Sequence, residues 1–582
     1  MSAIACAAMM RLGDFLVQNL ANTAWAFAKL SMRHEPLLAS IAAAALAKMS
    51  ASNAQGISNL AWSYATLEVQ HEPLMQALSE AAMHRCQDFS PQDLANTAWA
   101  FAVVVMFNAP LLDVLAGAAI ARMAEAEAQN LAMMAWAFAS ISVPHGPLLQ
   151  AISWAAQRTC SDFGEQHLSN TAWAFATIRF EDAPLFDALA SCAITQISAF
   201  GPQGLTNTAW SFAVNDVLHE PLLDAIASAA RATISKFLPR NLVGTAWAFA
   251  HLPVLDEHLM AAISCNALGL ISEFSPLELS NTSWAYARIA WVDAPLLASI
   301  AASAILRIEQ FDAQNLSNTA WAFAVLSITD APLMSASSAA ALPIIHEFAP
   351  QNLSNTVWAF AKCAVQDFPL LHAISSASLA RISALDCQNI ANTVWSCAIL
   401  WFHHVPLLDA LSSEAMPKLP LMYPQSLANT AWACASLMFR HMPLLNALAR
   451  QSMRSLSEFE ALELTNMAWS LARVTCRDST GVDDDAGDGA GSTGGGGGRR
   501  QHRGRAVDAL LARILERPQE VDPAGLHALL WATWSLSCGE DGWRLASSRS
   551  LLAADSTSQG FLLMDSTWSG QELRELQVLG AL

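Results

Sequence analysis

A tryptophan recurs at residues 25, 62, 99, 136, 173, 210, 247, 284, 321, 358, 395, 432 and 469, always 37 positions after the last, without an insertion or deletion. A fixed period of this size constrains a chain more than its composition does. It marks a repeat array in which one supersecondary unit is stacked on copies of itself. Asn stands three residues before the Trp in eleven of the thirteen copies, with Met133 and Gly244 in the other two. Pro stands eleven residues after it from Pro36 to Pro443, with His258 as the one replacement.

Each period holds two segments, seen in PQDLANTAWAFA at 91–102 and HEPLLDAIASAARATISKF at 219–237. Both are rich in Ala and Leu, which favour helix, and neither alternates with period two as a strand would. Leu222, Ile226, Ala229/Ala230 and Ile234 recur at spacings of three and four, which predicts one apolar face. Ser90-Pro91 reads as an N-cap followed by a first-turn Pro, and Asp182, Asp293 and Asp330 precede an Ala-Pro in the same manner. Two helices of about 12–17 residues and two short turns fill the period. One such hairpin cannot bury its apolar surface, whereas stacked copies can. The expected fold is all-α, a right-handed α-solenoid of two-helix repeats.

At 582 residues a globular chain would divide into several domains, but the unbroken repeat overrides that expectation. The solenoid should span 1–476, including an N-terminal half-repeat in AIACAAMMRLGDF. Residues 477–504, rich in Gly and Asp, read as a disordered insertion. Trp531 lies one period plus 25 residues beyond Trp469, so 505–537 reads as a degenerate capping repeat. Residues 538–582 show no interpretable pattern. The sequence begins mid-array with no recognisable targeting peptide, so either the array starts with half a repeat or the chain is a fragment of a longer product.

Hydrophobic residues make up 54% of the chain, yet the longest apolar run, near Ala98–Phe107, is half of the ~20 residues a membrane span needs. The 11 Cys show no CxxC spacing and read as reduced, buried thiols, not as disulfides or metal ligands. His34, His71, His145, His219, His404 and His441 lie two residues before the recurrent Pro, where Asn108, Asp182, Asp293 and Asp330 stand in other repeats. Those types share a helix-starting role, not a metal chemistry. No G-x-S-x-G, P-loop or HExxH is present, so neither catalysis nor a cofactor, metal or small-molecule substrate is expected.

Net charge is −19, which opposes nonspecific nucleic-acid binding. Many of the acids, such as Glu35, Glu72, Asp93 and Glu220, fall at helix starts, where the helix dipole favours them. On a helical wheel of the first segment, Gln92, Asn96 and Val103 share a face with Trp99 beside them, while Leu94, Ala98 and Phe101 point the other way. Ala95, Ala102, Thr97 and Ala100 flank that face and would let neighbouring first helices approach closely. Stacking turns Asn22, Asn59, Asn96, Asn170, Asn207, Asn281, Asn318, Asn355, Asn392, Asn429 and Asn466 into a polar row. The residue four after the Trp is variable; it is basic at Lys29, Arg288, Lys362 and Arg473 and acidic nowhere, although residues 1–476 hold 34 acids and 20 bases. An amide row offers donors and acceptors to a polymer's backbone or base edges. It could equally tie adjacent repeats together, and the Trp row could be either packing or a platform for bases.

The segment (P)Q-N-L-x-N-T-x-W-A-F-A, as at 351–361 and 314–324, resembles the octotricopeptide and heptatricopeptide repeats of organellar RNA-binding proteins. Their relatives include FAST-kinase-like proteins and the helical domain of the mitochondrial RNA-editing substrate-binding complex. The resemblance covers about 1–476. It implies binding of single-stranded RNA, protein partners within an organellar ribonucleoprotein, and a role in RNA processing, stability or translation in a mitochondrion or plastid. The Asn row with Lys29, Arg288, Lys362 and Arg473 then becomes the candidate contact set. The competing reading is a protein-interaction scaffold of armadillo or HEAT type, which an acidic groove and a buried Asn row would favour.

Overall fold

The computed structural model describes residues 2–477 and 506–514. The insertion expected at 478–504, most of the expected cap and the tail at 538–582 lie outside the described residues. All regular elements among the described residues are helical. The chain divides into two compact units, Met1–Glu273 and Phe274–Leu582. In each unit the repeats stack in chain order as an α-solenoid.

Each repeat is built alike. A first helix (helix A; Pro91–Val103 in the third repeat) is followed by a second (helix B; Ala109–Ala121) and then a single 3-10 turn (Met123–Glu125). Most helices of both kinds span 13 or 14 residues. The expected half-repeat at the start is the helix Ser2–Arg11. The closest backbone approach runs between A helices of successive repeats, and the B helices form a looser second layer. Leu94, Ala98 and Phe101 are fully buried, as are the flanking Ala95, Thr97 and Ala100. The small flanking residues permit that approach, because a larger side chain would hold the helix axes apart. The Thr206–Gly244 pair shows how tight it is. Thr206 occupies a place taken by Ala or Ser in most repeats, and a Cβ on Gly244 would lie 2.6 Å from its Cγ2.

The B-helix stripe departs from the expected one. Leu222, Ile226 and Ala230 are buried, but Leu223 and Ala227 complete the face while Ala229 and Ile234 are half-exposed. At Ile234 the stripe ends because the 3-10 turn Ile234–Lys236 breaks the 3.6-residue period. Beyond it the chain extends and inserts Phe237, 2% exposed, into the core. Phe89, Phe163, Phe200, Phe274, Phe311, Phe348 and Phe459 do the same in other repeats. Each such burial contributes about 1.5–3 kcal/mol.

Helix ends are closed by two devices that recur with the period. The residue two before the recurrent Pro accepts a hydrogen bond from the backbone N–H three residues on. Nδ1 of His34, His71, His145, His219, His404 and His441 lies 3.1–3.2 Å from that nitrogen. Asn108, Asp182, Asp256, Asp293, Asp330 and Asp367 use a side-chain oxygen at 2.8–3.1 Å. These six histidines are therefore N-caps. At the other end of helix A, the residue six after the Trp takes a left-handed backbone, as at Ser31, Val105, Ala290 and Trp401 (φ 51–54°). The following N–H bonds back six to one, for example Met106 to the Phe101 carbonyl at 3.1 Å. This is the Schellman pattern, made here without glycine.

In six repeats a basic residue at the end of helix B ties the repeat to the one before. Lys48 Nζ donates to the carbonyls of Gly13 and Phe15 at 2.8 and 2.7 Å, and Arg122 donates to that of Gln87 at 2.7 Å. Arg85, Arg307, Arg381 and Lys418 hold the same position and also reach carbonyls of the preceding repeat.

Among the nine described cysteines, Cys86, Cys160, Cys397 and Cys434 are buried, while Cys6 and Cys265 are exposed. The expectation of buried thiols therefore holds for part of the set. Burial pushes the thiols of Cys397 and Cys434 up to about 12. No described helix is long and apolar enough to cross a membrane. The helix at 506–514 buries Ala506, Val507, Leu510 and Ile514.

Two stability effects follow. Val105→Gly should raise the midpoint of chemical denaturation, adding roughly 1 kcal/mol, because a β-branched residue strains a left-handed position that Gly accepts. His219→Ala should cost about 1 kcal/mol and His219→Asn should restore most of it, since only the lost acceptor matters. Circular-dichroism melts read both.

Candidate functional site

Helix A positions four side chains per repeat on its outer face: the Trp, the residues seven and three before it, and the residue four after it. Over all thirteen repeats these positions contain no Asp or Glu. In a chain of net charge −19, this face is neutral to weakly basic.

The Asn row lies on it. Asn22 is exposed, and Asn59, Asn96, Asn170, Asn207, Asn281, Asn318, Asn355, Asn392, Asn429 and Asn466 are all partly exposed. None of these side-chain amides is hydrogen-bonded to another described residue, so the row does not tie repeats together. A second set of Asn, three residues earlier, supplies a control within the same helices. Asn19, Asn130, Asn241 and Asn352 each accept from the N-cap N–H at 3.0–3.2 Å. The same residue type is thus structural at one position and unengaged at the other. Only Met133 and Gly244 interrupt the row, both in the first unit, and the six repeats of the second unit carry it unbroken.

A glutamine row, of which the helical wheel shows Gln92, runs beside the Asn row on this face. Gln18, Gln55, Gln92, Gln129, Gln166, Gln203, Gln314, Gln351, Gln388 and Gln425 hold the position seven before the Trp, and all are exposed. Arg240, also exposed, replaces Gln in the seventh repeat, and Leu277 and Leu462 replace it in two others. The 37-residue recurrence that marks the Asn row was the available signal. Among described residues these glutamine side chains make one internal contact, Gln129 Nε2 to the Met133 sulfur at 3.9 Å.

The tryptophans pack against one another. Ring centroids are 6.3 Å apart for Trp62–Trp99, 6.5 Å for Trp99–Trp136 and 6.3 Å for Trp136–Trp173, with ring planes tilted by 28–34°. Sliding a base between two rings requires about 6.8 Å, twice the ~3.4 Å stacking rise. The centroid distance is the upper limit on plane separation, so a base cannot enter between these rings. Trp62, Trp99, Trp136 and Trp173 are thus inter-repeat packing, and the outer edges of their partly exposed rings floor this part of the face.

The basic candidates sit at the rim of that floor. Lys29 Nζ lies 5.5 Å from the Trp25 centroid and 5.0 Å from that of Trp62, and the Arg473 guanidinium lies 4.9 Å from that of Trp469. Arg288 is exposed and Lys362 partly so. His251 stacks on Trp247 at 4.8 Å and meets Asp216 at 3.2 Å. Among described residues no group of three or more His, Cys, Asp or Glu could hold a metal ion.

The amide accounting predicts a separation of effects. Asn318→Ala should leave the melting temperature unchanged, because the amide has no internal partner among the described residues. Asn352→Ala removes a cap and should cost about 1 kcal/mol. Thermal melts of the two variants side by side test the assignment.

Comparison with known proteins adds the following. No curated protein sequence matches the chain. Among solved structures, a chain of the full-length AP-3 complex in an intermediate open conformation (a homology model) aligns at TM-score 0.31 and 10% identity, covering 89% of both chains. The karyopherin Kap121p, bound to the extreme C-terminus of the protein phosphatase Cdc14p, aligns at TM-score 0.20 and 11% identity, over 92% of this chain and 76% of its own. Neither carries an argument about function. The family of the RNA-editing substrate-binding complex 6 protein matches residues 1–219, 108–269 and 228–479. With nearly the whole repeat array matched, the chain belongs to the RNA-editing substrate-binding complex 6 protein family.

Proposed function

We propose that the chain is a binding scaffold that holds single-stranded RNA along the A-helix face of its units, in RNA processing, stability or translation within a mitochondrion or plastid. Other proteins of the same ribonucleoprotein are its further partners. The observation that carries this reading is the recurrent Asn amide, partly exposed, without an internal partner among the described residues and set on a face whose four recurrent positions hold no carboxylate. A polar side chain repeated eleven times with no structural task has its hydrogen-bonding capacity available for a ligand of repeating chemistry. The family's description as a substrate-binding component of RNA editing and the likeness of the repeat to octotricopeptide repeats both support RNA as that ligand. Single strands suit the face better than duplexes, since their bases present free edges to amides. An armadillo- or HEAT-type protein scaffold has less support, because the Asn row is not buried and the face is not acidic. Helix 506–514 fits the first part of a degenerate capping repeat at 505–537.

Few cations reach the face, so affinity should depend weakly on salt. With Lys29, Arg288, Lys362 and Arg473 as the phosphate contacts, log K against log salt should have a slope of about −3. Fluorescence anisotropy with a labelled single-stranded RNA across a salt series reads it. The triple variant Asn318→Ala/Asn355→Ala/Asn392→Ala should lose at least tenfold in affinity with its melt unchanged. No binding of any single strand at low salt would refute the proposal.

A further inference from the structure

We infer that the A-helix face grips single strands with little regard to base sequence, an inference that rests on the RNA-binding reading above. Base discrimination by an amide needs the amide held in one orientation. A carboxamide carries an acceptor on one side and donors on the other, and it selects a base edge only if neighbouring groups prevent it from turning over. The structure shows what an oriented amide looks like in this fold. Asn352 is fixed at both ends, its Oδ1 accepting from Ala349 N at 3.0 Å and its Nδ2 donating to Ser317 Oγ at 2.9 Å. Asn355, one turn further along the same helix, has no partner among the described residues, and its equivalents in both units are the same. Apart from Gln129, which meets the Met133 sulfur, the exposed glutamines above them have no partner among the described residues, and they are longer. Nine of the thirteen repeats therefore present two amides free to rotate, able to meet adenine, cytosine, guanine or uracil with a donor or an acceptor as required.

Two further features lead the same way. The rows are nearly uniform, with Asn in eleven and Gln in ten of the thirteen repeats, so successive repeats offer the same contact. The rings of Trp62, Trp99, Trp136 and Trp173 stand too close for a base to enter between them, which removes from that stretch the pocket that would sort bases by size. At Met133 the row lacks an amide, and the grip there lapses for every base alike. At Gly244 an added Cβ would lie 2.6 Å from Thr206 Cγ2, so a side chain there would require Thr206 to shift.

The test uses the full chain and four labelled single-stranded 20-nucleotide RNAs: oligo(A), oligo(C), oligo(U) and a mixed sequence without self-pairing. Expected affinities agree within about fivefold. Asn318→Ala/Asn355→Ala/Asn392→Ala should weaken all four by a common factor, and Met133→Asn should strengthen all four by a common factor of about two to five. A spread above thirtyfold among the wild-type affinities, or a variant that shifts one strand by tenfold relative to the others, overturns sequence tolerance while leaving RNA binding intact. Failure of all four strands to bind overturns both readings. A Ser317→Ala control, which loosens the anchored Asn352, should change none of the ratios.

Discussion

The whole architecture depends on how closely successive A helices approach. Buried Ala, Ser and Thr along both flanks of each helix bring the backbones together, and the energetic consequences spread from there. The tight layer stacks the Trp rings, sets the exit angle that the left-handed residue must close, and directs the polar face outward. The Thr206–Gly244 pair shows how tight the fit is: a Cβ on Gly244 would lie 2.6 Å from the Thr206 methyl. In an array where each repeat contacts only its neighbours, a local mismatch of this kind must be solved locally.

Charge is distributed by the same logic. Acids at helix starts complete caps, and six basic residues at the ends of B helices close the carbonyls of preceding repeats. Both sets are taken up by the backbone at the repeat edges. What is left on the A face is almost neutral, and that changes the kind of binding it can support. A polymer held there is held chiefly by hydrogen bonds to amides and by contact with ring edges, with a few cations at the rim. The net charge of −19 is therefore a poor guide to the face, because it sums residues whose positions are unrelated to it.

The hydrogen-bond accounting distinguishes roles that residue type cannot. His at a recurrent loop position invites a metal-site reading, yet all six histidines there cap helices through Nδ1. Asn at two positions of one helix looks equivalent on paper, yet Asn352 is bonded at both ends and Asn355 is not bonded within the described residues. The tryptophan, the most visible residue of the repeat, packs ring against ring from Trp62 to Trp173. The glutamine row, much less conspicuous, is the most exposed part of the face.

Period, helix content and the orientation of the A helix were all legible in the sequence, because a 37-residue recurrence and a 3.6-residue apolar stripe are local properties of a chain that repeats. The Asn row was legible for the same reason. Three things needed the tertiary structure. The B-helix stripe ends early because a 3-10 turn interrupts the period, and turn type is settled by how the next repeat docks. Spacing of the Trp rings depends on the distance between neighbouring helix axes, which small flanking residues allow but do not specify. Above all, whether an Asn is engaged or free is a question about which atoms lie within 3 Å of it. The sequence could place thirteen outward positions on one helix face; only the packed repeats could show that the amides standing there have no internal partner among the described residues.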